Sequence, residues 1–136
     1  MFLHVDAKNG LAVYDQIVRQ VKFAVADGAL GPGELVPSVR ELARELAINP
    51  NTVARAYRQL QDDGVLEAVR GTGLAVAPGA RRHCHVERTR LIRARLRQVL
   101  EEAALSGLEP QEVEQLVQAE SIAARRKQKG RMTNDE

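Results

Sequence analysis

Apolar residues recur at helical spacing in five separate stretches of this 136-residue chain, with turn-forming residues between them. The first stretch begins at Val13 and ends near Gly28, where a glycine can adopt the left-handed conformation that closes a helix. A Gly31–Gly33 segment containing Pro32 then breaks the chain. The spacing predicts an amphipathic first helix whose buried stripe contains Ile17, Val21, Ala24 and Val25.

The second helix is marked by its first residues. Ser38 and Glu41 match the pattern S-x-x-E, in which the hydroxyl and the carboxylate cap each other's backbone N–H groups. Pro37 prevents an earlier start because the residue before a proline avoids helical conformation. We therefore predict a helix from Ser38 to Leu46, with its buried stripe formed by Val39, Leu42, Ala43 and Leu46.

A third helix follows after only two turn residues, Ala47 and Ile48. Asn49 is a favoured N-cap, Pro50 is favoured at the first helical position, and the Asp62–Gly64 segment ends the helix. Its apolar face contains Val53, Ala56, Tyr57 and Leu60.

A β-hairpin is expected next, formed by two β-prone runs, Val65–Val69 and Leu74–Ala77, around the glycine-containing turn Arg70–Gly73. Phe2–Val5 is a candidate edge strand. The predicted fold class is mainly α with a small β-hairpin, because three helices followed by a glycine-tipped hairpin are the parts of a winged helix-turn-helix.

The polar face of the third helix contains side chains of the types that hydrogen-bond DNA base edges. Asparagine pairs with adenine and arginine with guanine, while threonine offers a hydroxyl and a methyl group. The start of the second helix, at Ser38 and Arg40, is a candidate phosphate site. Glycines at the hairpin tip permit close approach to DNA. The candidate DNA-binding residues are Ser38, Arg40, Asn49, Asn51, Thr52, Arg55, Arg58, Arg70, Gly71, Thr72 and Gly73.

Charge is distributed unevenly along the chain, although the net charge is only +2. Met1–Ala80 carries eight Lys/Arg against nine Asp/Glu, whereas seven arginines against Glu87 alone lie between Arg81 and Arg97. This basic run indicates either an anionic partner or a solvated helix face. Aromatic residues make up 3% of the chain, which argues against a reader of single strands that stacks bases.

Other chemistry finds little support in the sequence. The pattern His83–Cys84–His85 offers metal ligands, but alternate residues do not share a helix face and no second cluster completes a tetrahedron, so a polar linker is the preferred interpretation. No nucleophile elbow, phosphate loop or HExxH motif is present, and we expect neither an enzyme nor a cofactor. One cysteine, no signal peptide and no apolar run of membrane length predict a soluble, cytoplasmic protein.

Several motifs in order resemble the winged helix-turn-helix of GntR-family bacterial regulators. They are Tyr14–Ile17, Leu30–Gly33, Val36–Ala43, Asn49–Tyr57, Leu60, Asp63–Gly64 and Gly71–Gly73. The Asn-Pro-Asn-Thr-Val-x-Arg-Ala-Tyr form is similar to the YtrA subfamily, which carries a short two-helix tail in place of a large effector domain. The resemblance implies a dimer on an inverted-repeat operator, with DNA contacts from Arg40, Asn49, Asn51, Thr52, Arg55 and the wing around Gly71.

Two C-terminal helices are predicted, one from about Val86 to Ala103 and one from about Pro110, separated by Ser106–Gly107. Their apolar stripe exceeds what a single helix pair buries, so we expect a homodimer rather than packing against the winged domain. The candidate dimerisation residues are Leu91, Ile92, Leu96, Val99, Leu100, Ala103, Val113, Leu116 and Val117.

We therefore predict a winged helix-turn-helix DNA-binding domain (1–79), a helical dimerisation segment (80–127) and a disordered tail (128–136). The predicted function is a dimeric repressor that binds an inverted repeat of double-stranded DNA. The alternative is a protein-interaction module on the same fold without specific DNA binding.

Overall fold

Seven secondary-structure elements follow one another in the computed structural model, which describes residue 1 and residues 3–134. The helices and strands are α1 (Val13–Asp27), α2 (Val39–Leu46), α3 (Pro50–Asp62), β1 (Leu66–Val69), β2 (Gly73–Val76), α4 (Ala80–Leu105) and α5 (Pro110–Asn134). This order confirms the predicted fold class, a winged helix-turn-helix followed by two helices.

The ends of the first three helices lie where their capping residues predict. Gly28 closes α1 with a φ of 89°. Ser38 and Glu41 form both hydrogen bonds of the capping box at the start of α2. At α3, the Asn49 side chain accepts a hydrogen bond from the N–H of Asn51, and Pro50 occupies the first turn.

Leu3–Val5 pairs with no strand, so the predicted edge strand is wrong for these residues; Phe2 lies outside the described residues. Side-chain amides of α1 accept hydrogen bonds from the backbone of this segment instead. The N–H of His4 donates to Gln20 Oε1 (2.8 Å), and the N–H of Asp6 donates to Gln16 Oε1 (2.8 Å).

The hydrophobic core lies where α1, α2 and α3 meet, closed on one side by the hairpin and the first turns of α4. α1 and α2 both pack against α3. Every apolar residue predicted for the inner face of α3 is buried. The largest fully buried side chains are Ile17, Val21, Val25, Leu42, Val53, Leu60, Val65, Val76 and Cys84.

The hairpin is antiparallel, with Leu66 opposite Val76 and Val69 opposite Gly73. The segment before α2 adds a short third partner to β2, because Leu35 bridges Ala75 and the Val36 N–H donates to the Leu74 carbonyl (3.0 Å). The wing is thereby attached to the helix-turn-helix by backbone hydrogen bonds.

Helix α4 begins at Ala80, six residues before the predicted start, so the polar linker expected at 83–85 is wrong. Ala80 and Cys84 are one turn apart and both are buried. This spacing packs the first turn of α4 into the core, and a cysteine serves there as a small apolar residue. His83 and His85 are exposed on either side of it.

A cluster of four charged residues links α1, the end of α3 and the start of α4. The Lys22 ammonium, 5% exposed, lies 2.8 Å from Asp63 Oδ2 and 3.4 Å from Glu87 Oε1. Arg90 also hydrogen-bonds Glu87 from the next turn of α4. The hydrogen bond from Arg90 and the charge of Lys22 outweigh desolvation and lower the pKa of Glu87 to about 2. Burial raises the pKa of the nearby Cys84 thiol.

The chain divides into two compact units within α4: a winged unit, Met1–Leu91, and a helical unit that begins at Ile92. The first three turns of α4 therefore belong with the winged unit, beyond the boundary expected at residue 79. Helix α5 continues to Asn134, although a disordered tail was expected from residue 128. Gln128, Lys129 and Arg131 are good helix formers in this segment. No helix in the described part of the chain is long and apolar enough to span a membrane.

Candidate nucleic-acid interface

The turn between α2 and α3 determines how the third helix is presented. Ala47 has a φ of 55° and is the one non-glycine residue with positive φ among those described. The Ile48 N–H donates to the Ala43 carbonyl (3.0 Å), and Asn49 caps α3 immediately afterwards. This short connection is the turn of a helix-turn-helix.

Helix α3 has one buried face and one polar, solvent-exposed face. Its first turn contains no acidic residue, so the helix dipole favours an anion near this end. Thr52 is half-buried at the edge of the exposed face. The exposed candidates on and beside this helix are Asn49, Asn51, Arg55 and Arg58.

Arg55 differs from Arg58 in having an aromatic partner. Its guanidinium carbon lies 3.7 Å from the centre of the Tyr14 ring, near the start of α1. Tyr14 belongs to a family motif in the sequence, but no sequence pattern pairs it with Arg55. A contact across 41 residues has no local signal in the sequence.

The start of α2 combines a satisfied cap with donors left for a ligand. Ser38 Oγ accepts the Glu41 N–H (3.1 Å), which leaves its hydroxyl proton available to donate. Arg40 is exposed beside it. The Tyr57 hydroxyl donates to the Pro37 carbonyl (2.7 Å) and so ties α3 to the residue before this cap. Burial, followed by the charges of Glu41 and Glu45, raises the pKa of Tyr57, which keeps this donor protonated.

The wing tip is exposed from Arg70 to Gly73. The Thr72 N–H donates to the Val69 carbonyl (3.0 Å), closing a tight turn. Gly71 and Gly73 have φ values of 76° and 135°, which other residues rarely adopt, and a Cβ at either position would meet no atom within 4 Å. The space outside these glycines is open to a large partner.

The eleven DNA-binding candidates thus lie on three elements of the winged unit, and all are exposed except half-buried Thr52. Four of them are arginines: Arg40, Arg55, Arg58 and Arg70. Exposed Arg44 on α2 was not singled out by the sequence analysis. Cys84 of the His83–Cys84–His85 pattern is fully buried in the core. The described residues hold no cluster of three or more metal-ligating groups.

The dimerisation candidates are all more exposed than the core residues of the winged unit. Leu91, at the end of that unit, Ala103 and Val113 are half-buried. Within the helical unit, a groove of about 530 Å³ is lined by apolar residues that include Leu100, Leu108 and Val117. The candidates that are exposed are Ile92, Leu96, Val99, Leu100, Leu116 and Val117.

These features define a winged helix-turn-helix DNA-binding regulator. Residues 13–76 match the sequence profile of bacterial regulatory proteins, gntR family. The HTH-type transcriptional repressor YtrA of Bacillus subtilis is 34% identical over 107 residues, an alignment that covers 79% of this chain and 82% of that protein. The chain belongs to the GntR family of transcriptional regulators, in its YtrA subfamily.

Solved structures agree with this assignment. A transcriptional antiterminator from Listeria monocytogenes EGD-e superposes with a TM-score of 0.65 at 29% identity, covering 89% of this chain and 90% of that one. YtrA from Sulfolobus acidocaldarius, a GntR-family transcription factor, superposes with a TM-score of 0.54 at 28% identity, covering 88% and 97%.

Proposed function

We propose that this protein is a dimeric transcriptional repressor that binds an inverted-repeat operator and catalyses no reaction. The observation that carries the proposal is the exposed polar face of α3, whose opposite face is fully buried in the core. A helix held in this way presents its side chains to a major groove without further rearrangement.

The candidate residues divide into two roles under this proposal. Asn51 and Arg58 have the donor and acceptor pattern that reads adenine and guanine edges. Ser38 and Arg40 suit phosphate oxygens, which position the protein on the duplex. Arg70 suits a phosphate or the minor groove, beside glycines that permit close approach.

A homodimer follows from the apolar surface of the helical unit. Leu96 and Leu116 are each about half exposed, at 48% and 52%, and their apolar neighbours continue the surface at helical spacing. A second copy with two-fold symmetry covers such a surface and provides two recognition helices for half-sites about 34 Å apart. The operator is then an inverted repeat.

Repression is the simplest outcome of such binding, because a dimer on promoter DNA excludes the transcription machinery. The Bacillus subtilis relative carries the name of a transcriptional repressor, which supports this direction of regulation. The relatives are regulators rather than enzymes, which supports the absence of catalysis. Action on chromosomal DNA assigns the protein to the cytoplasm.

Binding to the promoter DNA upstream of the protein's own gene tests the proposal. We expect tight binding to a duplex containing an inverted repeat, with two protomers per duplex, and binding at least about 10³-fold weaker to a scrambled duplex of the same composition. Arg58→Ala is expected to reduce this discrimination, while Arg44→Ala on α2 serves as a matched control of equal charge.

Weak, salt-sensitive binding of equal strength to both duplexes would contradict the proposal, because phosphate attraction alone produces that behaviour. The protein-interaction module would then become the preferred function.

A further inference from the structure

Arg55 and Arg58 are both exposed on α3, but their surroundings differ. Among the described contacts, an aromatic ring lies against Arg55 alone: its guanidinium carbon is 3.7 Å from the centre of the Tyr14 ring. Cations are attracted to such a ring at distances within about 6 Å. The Tyr14–Arg55 pair is therefore a close stack, and it holds one of the two arginines in a defined place.

The Tyr14 ring that stacks on Arg55 is fixed by its own packing. Tyr14 lies in the first turn of α1, is half-buried and packs against the hydrophobic core. The core residues of α1 and α3 are already buried without this pair; Ile17 and Val53 are both inaccessible to solvent. The stack lies at the edge of this core, between half-buried Tyr14 and exposed Arg55.

Stacking occupies the face of the guanidinium and leaves the N–H groups at its edge available. These donors form a rigid planar fork that matches two neighbouring acceptor atoms. A free arginine loses much side-chain freedom when it binds, and a stacked arginine has lost part of that freedom beforehand.

We infer that Tyr14 is a positioning residue for DNA recognition, which holds Arg55 as a preformed fork for a pair of acceptors on the operator. The acceptors are the O6 and N7 atoms of guanine or two oxygens of one phosphate. Tyr14 acts through Arg55 and requires no DNA contact of its own. This inference rests on the proposed operator binding.

A double-mutant cycle tests it. Operator affinity is measured for the full-length wild type, Tyr14→Leu, Arg55→Ala and the double variant. We expect Tyr14→Leu to weaken binding about 5- to 30-fold in the dimer, which has two copies of the stack. The same change is expected to have no further effect when Arg55 is already alanine, because the group that Tyr14 positions is then missing.

Two controls separate positioning from a merely structural role. Tyr14→Leu combined with Arg58→Ala should show the full loss, because Arg58 has no part in the stack. Tyr14→Phe retains the aromatic face and should remain within about twofold of wild type. Thermal unfolding of every variant establishes the folded fraction used in each titration.

An equal loss from Tyr14→Leu with and without Arg55, or no loss at all, would overturn the inference while leaving operator binding by the wild type intact. Failure of the wild type to prefer its operator would instead count against the proposed function.

Salt dependence identifies the acceptor. For phosphate, Arg55→Ala weakens binding to operator and scrambled duplexes alike and reduces the salt slope by about 2 per dimer. For guanine, the loss is confined to the operator.

Discussion

The winged unit and the helical unit are both built mainly from helices but have opposite relations to solvent. In the winged unit, apolar side chains from three helices, a hairpin and the start of α4 form one buried core. From Ile92 to Arg131, by contrast, every described residue is exposed or half-buried, and large apolar side chains such as Leu96 and Leu116 are about half exposed.

The difference shows which parts of the chain fold through their own contacts. The winged unit buries most of its apolar residues internally, whereas the helical unit has a regular apolar surface that its own two helices leave uncovered. Isolated helices gain most of their stability from tertiary packing. The helical unit is therefore the part expected to depend on a second copy.

The largest effect is expected from the double change Leu96→Asp and Leu100→Asp in the apolar surface of the helical unit. Charges in the apolar surface disfavour its burial against a second copy, so we expect a monomer with operator affinity reduced by at least about 10³-fold. Thermal unfolding of the winged unit should be unchanged. Sedimentation and operator titration measure the two effects.

Leu105→Asp is the matched control for this variant. Leu105 is also on α4 and is 89% exposed, but helical spacing places it on another face from Leu96 and Leu100. It should remain dimeric, and a dimeric double variant would contradict the assigned surface.

A smaller effect is expected from Glu87→Gln in the charged cluster of the winged unit. The neutral amide leaves mostly buried Lys22 with a weaker partner, so we expect a loss of about 1–2 kcal/mol in the free energy of unfolding near neutral pH. The Glu87 pKa is lowered to about 2 on folding. The contribution of Glu87 to the free energy of unfolding is therefore complete above the ordinary carboxyl pKa. It is lost as the pH falls towards the pKa of Glu87 in the folded protein.

Urea unfolding between about pH 6 and pH 3 measures this dependence. The difference between wild type and Glu87→Gln should shrink as the pH falls. Glu67→Gln, at an exposed position on β1, provides the control and should show no such trend. A constant difference across this pH range would show that the charge of Glu87 contributes nothing.

The smallest expected effect is a gain in stability from Ala47→Gly in the helix-turn-helix turn. Left-handed conformation costs an alanine about 1–2 kcal/mol, and glycine avoids this cost but has more freedom in the unfolded chain. We expect a net gain of about 0.5 kcal/mol in urea unfolding. Ala54→Gly, inside α3, should instead lose about 1 kcal/mol; a loss at both positions would show that Ala47 is unstrained.

The winged fold was predictable because its signals are local. The capping box at Ser38, the Asn49–Pro50 start and the glycines of the wing each determine the conformation of their own few residues. The polar face of α3 followed from the spacing of its apolar residues. The DNA contacts of these residues remain predictions, although the structure shows which of the side chains are exposed.

Features that depend on distant residues were missed. The start of α4 carries several charged residues and two histidines around Cys84, and nothing in that stretch indicates that Cys84 is fully buried. Lys22 reads as a polar residue of an amphipathic helix, yet its partners are 41 and 65 residues away. The Tyr14–Arg55 stack likewise joins two helices that meet only in the folded chain.

The chain has two tyrosines and no tryptophan, so most of its near-ultraviolet emission originates from one residue of α3 and one residue that contacts it. Tyr57 lies on the buried face of α3 and bonds to the Pro37 carbonyl, while the ring of Tyr14 covers Arg55 on the exposed face. Tyrosine fluorescence is therefore an intrinsic probe of the surroundings of α3. The emission of the unlabelled protein combines a signal from the buried face of α3, through Tyr57, with one from its exposed face, through Tyr14.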